Sequence, residues 1–162
     1  MQKSKTQFDV FEGNKDTNII LFPLLKELTV DIDEENWDSQ SLYTFLNTPQ
    51  TFCFVINKAV NPVGFALIRL AHDEAEIIYL KTIKKYRSKG YANSLLKYFF
   101  KWAKIKSISK IFLEVSVENF IAIKLYKSNG FFEVGLREKY YIKNSKKEDA
   151  KVMLKTLIMF DE

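Results

Sequence analysis

The spacing of apolar and polar positions changes several times along the chain, and each change marks a new element. Gln7–Phe11 reads as a short strand. Asp16–Leu28 is apolar on most sides and reads as a helix that Pro23 kinks or restarts. Val30–Asn36 is an acidic loop, and Asp38 or Ser39 caps a helix running to Leu46. Thr51–Ile56 is β-branched and aromatic, which predicts a strand. Turn residues fill Asn57–Pro62, Gly64–Leu70 is the next strand, Ala71–Glu74 a turn and Glu76–Thr82 another strand.

From Gly90 to Lys106 the spacing becomes helical. Leu95, Leu96, Phe99, Phe100 and Ala103 recur at three- and four-residue intervals and form one apolar face. Lys110–Ser116 is a strand. Phe120–Ser128 is a helix with Ile121, Ala122 and Leu125 facing inward, and Asn129-Gly130 ends it. Phe131–Tyr141 and Ala150–Ile158 are the last two strands, joined by the polar loop Lys143–Asp149.

The predicted order is β-α-α-β-β-β-α-β-α-β-β. Strands joined by short turns pair antiparallel, while a strand–helix–strand passage requires a parallel pair. The fold class is therefore α/β (α+β): a mixed, mostly antiparallel sheet of about seven strands with about four helices. Ligands on such sheets favour the place where strand direction and order change. That place is the end of Glu76–Thr82, beside Lys110–Ser116.

Composition bounds the function classes. The 162 residues fit one domain, 47% hydrophobic and 28% charged, with aromatics at 15% that predict a bulky core. A net charge of +5 favours an anionic partner. The lysines are spread out, and the one dense basic stretch, Lys81–Lys89, is too short to imply nucleic acid. One cysteine, Cys53, excludes a disulfide within the chain and suits a reducing cytoplasm. The N-terminal lysines precede no apolar run, as a signal peptide would require, and Ile19–Leu25 is too short to span a bilayer. One His and one Cys argue against a metal site.

The loop Arg87-Ser88-Lys89-Gly90-Tyr91-Ala92 lies between a strand and the long helix. Free N–H groups at a helix start, together with the helix dipole, favour an anion there. Gly90 lets backbone approach a phosphate, Ala92 does not block it, and Lys84, Lys85, Arg87 and Lys89 add positive charge. No Gly-Lys-Ser/Thr follows at P-loop spacing, and the first two glycines of a dinucleotide fingerprint are missing.

Arg87-x-x-Gly90-x-Ala92 resembles the acetyl-CoA loop of the GCN5-related N-acetyltransferases. A second block resembles that family too: Leu113-Glu114-Val115, Asn119, Ala122, Leu125-Tyr126 and Asn129-Gly130-Phe131, in the family's order and separation. The likeness extends from Gly64 to Leu157. Within the family the chain is most similar to the ribosomal-protein N-terminal alanine acetyltransferases, on Glu114, Tyr140-Tyr141, Glu148-Asp149-Ala150, Met153 and Trp37. It departs from them at Lys81-Thr82-Ile83-Lys84, at Ala92 and in the Lys/Asn-rich loop after Tyr141.

The resemblance implies a parallel pair splayed at an acetyl-CoA site and direct attack of an amine on the thioester. Glu114, mid-strand among apolar residues, is the candidate base, acting directly or through a water. Tyr126 is the candidate acid, since a phenol near pKa 10 matches a thiol leaving group; its alternative role is a core aromatic. Leu80 and Thr82 bind the pantetheine arm through backbone, and Asn119, two turns from Tyr126, hydrogen-bonds it. Arg87, Ser88, Lys89, Gly90, Tyr91, Ala92 and Asn93 hold the pyrophosphate. Trp37, Tyr140, Tyr141 and Glu114 line the acceptor site. Cys53 lacks a partnered histidine and His72 sits in a turn, so neither is a candidate.

The expected acceptor is a protein N-terminal amine. The alternatives are a small cationic amine, such as a polyamine or aminoglycoside drawn to Asp31, Asp33, Glu34 and Glu35, and a non-catalytic CoA-binding module. Expected partners are acetyl-CoA and the amine, with no nucleic acid or membrane, in a cytoplasmic monomer or weak dimer.

Overall fold

The computed structural model of the chain describes residues 6–14, 21, 25, 39–143 and 146–158. Its elements are β1 (Thr6–Glu12), α1 (Ser39–Asn47), β2 (Thr51–Lys58), β3 (Asn61–Ala71) and β4 (Glu74–Thr82). After a 3₁₀ turn at Lys84–Tyr86 come α2 (Tyr91–Ile105), β5 (Lys110–Ser116), α3 (Phe120–Ser128), β6 (Phe132–Lys143) and β7 (Lys146–Thr156). The strands form one seven-stranded sheet in the order β1-β2-β3-β4-β5-β7-β6. All neighbours are antiparallel except β4 and β5.

Two apolar layers fix the sheet. On one face α2 and α3 bury Leu95, Leu96, Phe99, Ala103, Ile123 and Tyr126 against Phe54, Ile77, Ile111, Leu113, Val115 and Met153. Aromatic rings fill this layer: Phe54 meets Phe99 at 5.2 Å and Trp102 at 5.1 Å between centroids. The opposite face buries Leu42 and Leu46 of α1 against Cys53, Val55, Phe65 and Leu67, with Leu21 and Leu25 in the same cluster. Each fully buried Leu or Phe contributes about 1.5–3 kcal/mol.

The prediction of a single mixed sheet with one parallel pair matches this fold. Several boundaries differ. Asn57–Pro62 is not a loop: β2 runs to Lys58 and β3 starts at Asn61, with Ala59 at φ 55 in the tight turn. Pro62 is admitted near the strand start, beside the register shift at Ile56/Asn57. Glu74 likewise belongs to β4, since His72 at φ 56 turns the chain within two residues. Lys146–Asp149, placed in a polar loop, belong to β7 instead, and Lys146, Lys147 and Glu148 pair with β6.

Ile121, predicted to face inward, is 87% exposed; α3 instead buries Ile123 and Tyr126, with Ala122 and Leu125 partly covered. Among the described residues there are three α-helices. The helix expected over Asp16–Leu28 lies outside the described residues apart from Leu21 and Leu25, which are helical and buried. The acidic loop Val30–Asn36 and Trp37 also lie outside them.

Candidate active site

The site begins where β4 and β5 part. Their parallel register runs from Glu74↔Lys110 to Ile77↔Leu113 and stops. The cause is local: β3 pairs Ile68 with Ile77 and Leu67 with Tyr79, so Ile78 is an extra residue that kinks β4. Beyond it, β4 stays with β3 as far as Gly64↔Thr82, while β5 stays with β7 as far as Ser116↔Ala150. The sheet opens between Ile78–Thr82 and Glu114–Ser116. A strand edge in such a gap offers backbone N–H and C=O groups to an extended ligand. Leu80 and Thr82 lie on that edge, and the Thr82 carbonyl accepts from Arg87 Nε at 3.2 Å, tying strand to loop.

The loop after β4 turns into α2 without a side-chain cap. Ser88 has φ 58 and Gly90 φ 82, so the chain enters α2 through two left-handed residues. Gly90 is the N-cap and no side chain caps the helix, so protein side chains leave its first N–H groups to a ligand. A Cβ added at Gly90 meets nothing within 4 Å, so the space above the loop is open. Lys89 donates to the Lys85 carbonyl at 3.0 Å, and both ammonium groups lie over the Tyr86 ring. Arg87, Ser88, Lys89 and Gly90 are exposed, whereas Tyr91, Ala92 and Asn93 are half-buried.

Asn93 contributes differently from the expectation. Its Oδ1 accepts from Asn129 Nδ2 at 2.9 Å, which turns the side chain toward α3 and leaves the backbone for ligand contact. Asn119 is the N-cap of α3, and its Oδ1 accepts from Ala122 N at 3.1 Å. That oxygen serves the helix with one of its lone pairs, and the amide nitrogen is the group turned to the pantetheine role in the reading below. Tyr126 is buried and meets Phe131 edge-on at 5.6 Å.

Glu114 and Tyr126 stand on opposite sides of the sheet. Leu113 and Val115 pack into the layer that holds Tyr126, and strand alternation turns Glu114 the other way. The two therefore flank the gap from its two faces. Glu114 lines a cleft of about 320 Å³ with Arg69, Glu74, Glu76, Phe112, Arg137 and Val152 among its walls.

Tyr140 and Tyr141 converge on Glu114. The Tyr141 hydroxyl donates to the Glu114 carbonyl at 3.2 Å. The Tyr140 hydroxyl donates to the Glu114 carboxylate, which raises the phenol's pKa above 10.0; burial and the carboxylate's charge raise it further, and Arg137 opposes them. Arg137 was not among the sequence candidates. Its Nη1 lies 3.0 Å from Glu114 Oε1. It is missed because regular alternation sets residues three apart on opposite faces, and only the two extra residues of β6 between Arg137↔Ala150 and Tyr141↔Glu148 bring it to the side of Tyr140.

No group of three or more His, Cys, Asp or Glu able to hold a metal occurs among the described residues. Nor is any helix among them long and apolar enough to cross a membrane. Cys53 is buried, and burial pushes its thiol far up.

The profile of the Acetyltransferase (GNAT) family matches residues 22–131. The ribosomal protein bS18-alanine N-acetyltransferase of Haemophilus ducreyi is 34% identical over 94 residues, which cover 57% of this chain. They cover 65% of that enzyme, so the chain spans just under two thirds of this relative's length. A putative ribosomal protein bS18-alanine N-acetyltransferase of Bacillus subtilis is 31% identical over 122 residues, 75% of this chain and 80% of that protein. The crystal structure of the ribosomal-protein-S18-alanine N-acetyltransferase from Escherichia coli shares the fold, with a TM-score of 0.82 at 21% identity over 96% of this chain and 97% of that one.

Proposed function

Because the chain belongs to the acetyltransferase (GNAT) family, we propose that it transfers the acetyl group of acetyl-CoA to the N-terminal α-amine of a protein. The first acceptor class to test is a ribosomal protein beginning with alanine, the substrate named for its relatives. The observation that carries the proposal is the position of Glu114: at the mouth of the β4–β5 gap, on the face opposite the anion-binding loop.

Each part has a role. The uncapped start of α2 and the residues Arg87 to Asn93 hold the pyrophosphate. The free edge of β4 at Leu80 and Thr82 aligns the pantetheine arm, helped by the Asn119 amide. When bound, acetyl-CoA supplies a thioester carbon in the gap. Glu114 takes a proton from the acceptor amine as its nitrogen bonds to that carbon. Tyr126 gives its proton to the departing sulfur. The products are an amide and a free thiol.

An α-amine has a pKa near 8, so about a tenth is neutral at pH 7, against well under a thousandth of a lysine side chain. A single carboxylate suffices for the former. Tyr140 and Tyr141 form the acceptor wall beside Glu114.

The test is an acetylation assay across alanine-initiated peptides, N-terminally blocked lysine peptides and polyamines. Preference for the first supports the proposal, and preference for polyamines overturns the acceptor class. Acetyl-CoA should also raise the melting temperature, and Gly90→Trp should abolish that rise by filling the open space above the loop. No rise in the unmodified protein would sink the cosubstrate assignment.

A further inference from the structure

The Glu114 side chain is 13% exposed, and an enclosed carboxylate requires a counter-charge. Arg137 supplies it from the outer strand β6, with its own side chain 56% exposed. The convergence on Glu114 is built in. Residues three apart on a regular strand point to opposite faces, yet Arg137 and Tyr140 reach the same carboxylate. The two-residue excess in β6 makes this possible, with Lys139 at φ 53 and its N–H held by Asp149 Oδ1 at 2.8 Å. The Arg137 guanidinium lies 5.2 Å from the Tyr140 ring centroid.

Neighbouring charges are matched elsewhere. Arg69 of β3 pairs with Glu76 of β4, and Lys110 of β5 with Glu74. Lys151 of β7 pairs with Glu133, and Glu148 accepts from Ser116.

We propose that Arg137 is a specificity-determining residue that occupies the place of the acceptor's ammonium in the free protein. The acceptor docks by exchanging its N-terminal cation for the guanidinium at Glu114, and the docked ammonium gives one proton to solvent before its nitrogen attacks and Glu114 takes the second. This rests on the reading above that Glu114 receives the acceptor amine. Cation replaces cation, so the enclosed carboxylate is never left bare. Once acetylated, the product is an uncharged amide. It cannot hold the carboxylate, and Arg137 returns to displace it. The displaced guanidinium keeps solvent and the Tyr140 ring as its surroundings.

The probe is an alanyl tripeptide amide with a free N-terminus, titrated by calorimetry without acetyl-CoA. Its N-acetylated form is the control. Arg137→Ala should bind the free peptide about two- to five-fold more tightly, the value of a half-exposed ion pair. Arg137→Lys, which keeps an exchangeable cation, should restore the original affinity. On a Glu114→Gln background the gain should vanish. A residue that merely braces Glu114 predicts the opposite sign, because its loss would weaken binding. Equal or weaker binding in Arg137→Ala, or no binding in either protein, overturns the inference. A protein that shows the exchange but acetylates no peptide would refute the proposed function and leave the exchange standing.

Discussion

The Asn129 side chain donates to Asn93 Oδ1 at 2.9 Å and to the Leu125 carbonyl at 2.8 Å. One amide thus ties the end of α3 to the first turn of α2, where the N–H groups proposed to hold the pyrophosphate lie. Lys155 adds a third strand to this knot, donating to the Asn129 carbonyl at 2.8 Å. Asn129→Leu leaves the half-buried Asn93 oxygen without this donor, at a cost of about 1–3 kcal/mol. It should also weaken acetyl-CoA binding several-fold. Denaturant melts and a cosubstrate titration check both. Lower stability with unchanged affinity would confine the tie to folding.

Gly64 lies behind the edge of β4 proposed to align the cosubstrate. It pairs with Thr82, and a Cβ there would stand 2.7 Å from the Lys81 carbonyl and 3.3 Å from Ile56 Cγ2. The nearer obstacle is backbone, so β3 and β4 must separate. Gly64→Ala should therefore destabilise by about 1–3 kcal/mol and weaken acetyl-CoA binding. A variant with normal melting and normal affinity would show that the strand pair yields freely.

Glu114→Gln and Tyr126→Phe separate chemistry from binding. Loss of a general base slows turnover by about 10²–10⁴-fold. A similar or smaller loss is expected for Tyr126→Phe, whose ring packing against Phe131 is kept. Acetyl-CoA affinity should change little in either. Single-turnover rates near those of the parent protein would remove the roles assigned to both residues.

The sequence carried the architecture where local pattern and tertiary burial agree. Lys110–Ser116 and Phe120–Ser128 match the structure at both ends, because β-type patterning in the first and the Asn129-Gly130 stop of the second are local signals. The apolar face of α2 was legible for the same reason. Ile121 was misread because α3 is short and apolar on most sides, and only packing against β5 and Phe131 selects Ile123 and Tyr126. Around Glu114, the sequence singled out Tyr140 and Tyr141, which the structure brings to it, but not Arg137. Its link to them depends on a bulge that no period in the sequence announces. The bulge at Ile78, which opens the gap, was hidden in the same way.

Tyr140 offers a pH test of this arrangement. Its phenol is held above 10.0, first by its hydrogen bond to Glu114, then by partial burial and the charge of Glu114. The folded protein therefore binds that proton more tightly than the unfolded chain does. The stability it brings is complete below pH 10 and is lost as pH rises through the folded value. Glu114→Gln removes the charge and weakens the hydrogen bond, so the Tyr140 titration should move down toward 10 and the loss of stability should begin at lower pH. Phenolate absorbance, with Tyr140→Phe as the blank, reads the first effect, and melts between pH 9 and 11 read the second. The ring is about half exposed, so solvent screens much of the effect and the direction is the quantity to test. An unchanged Tyr140 midpoint in Glu114→Gln would mean that the hydroxyl does not rest on this carboxylate in solution.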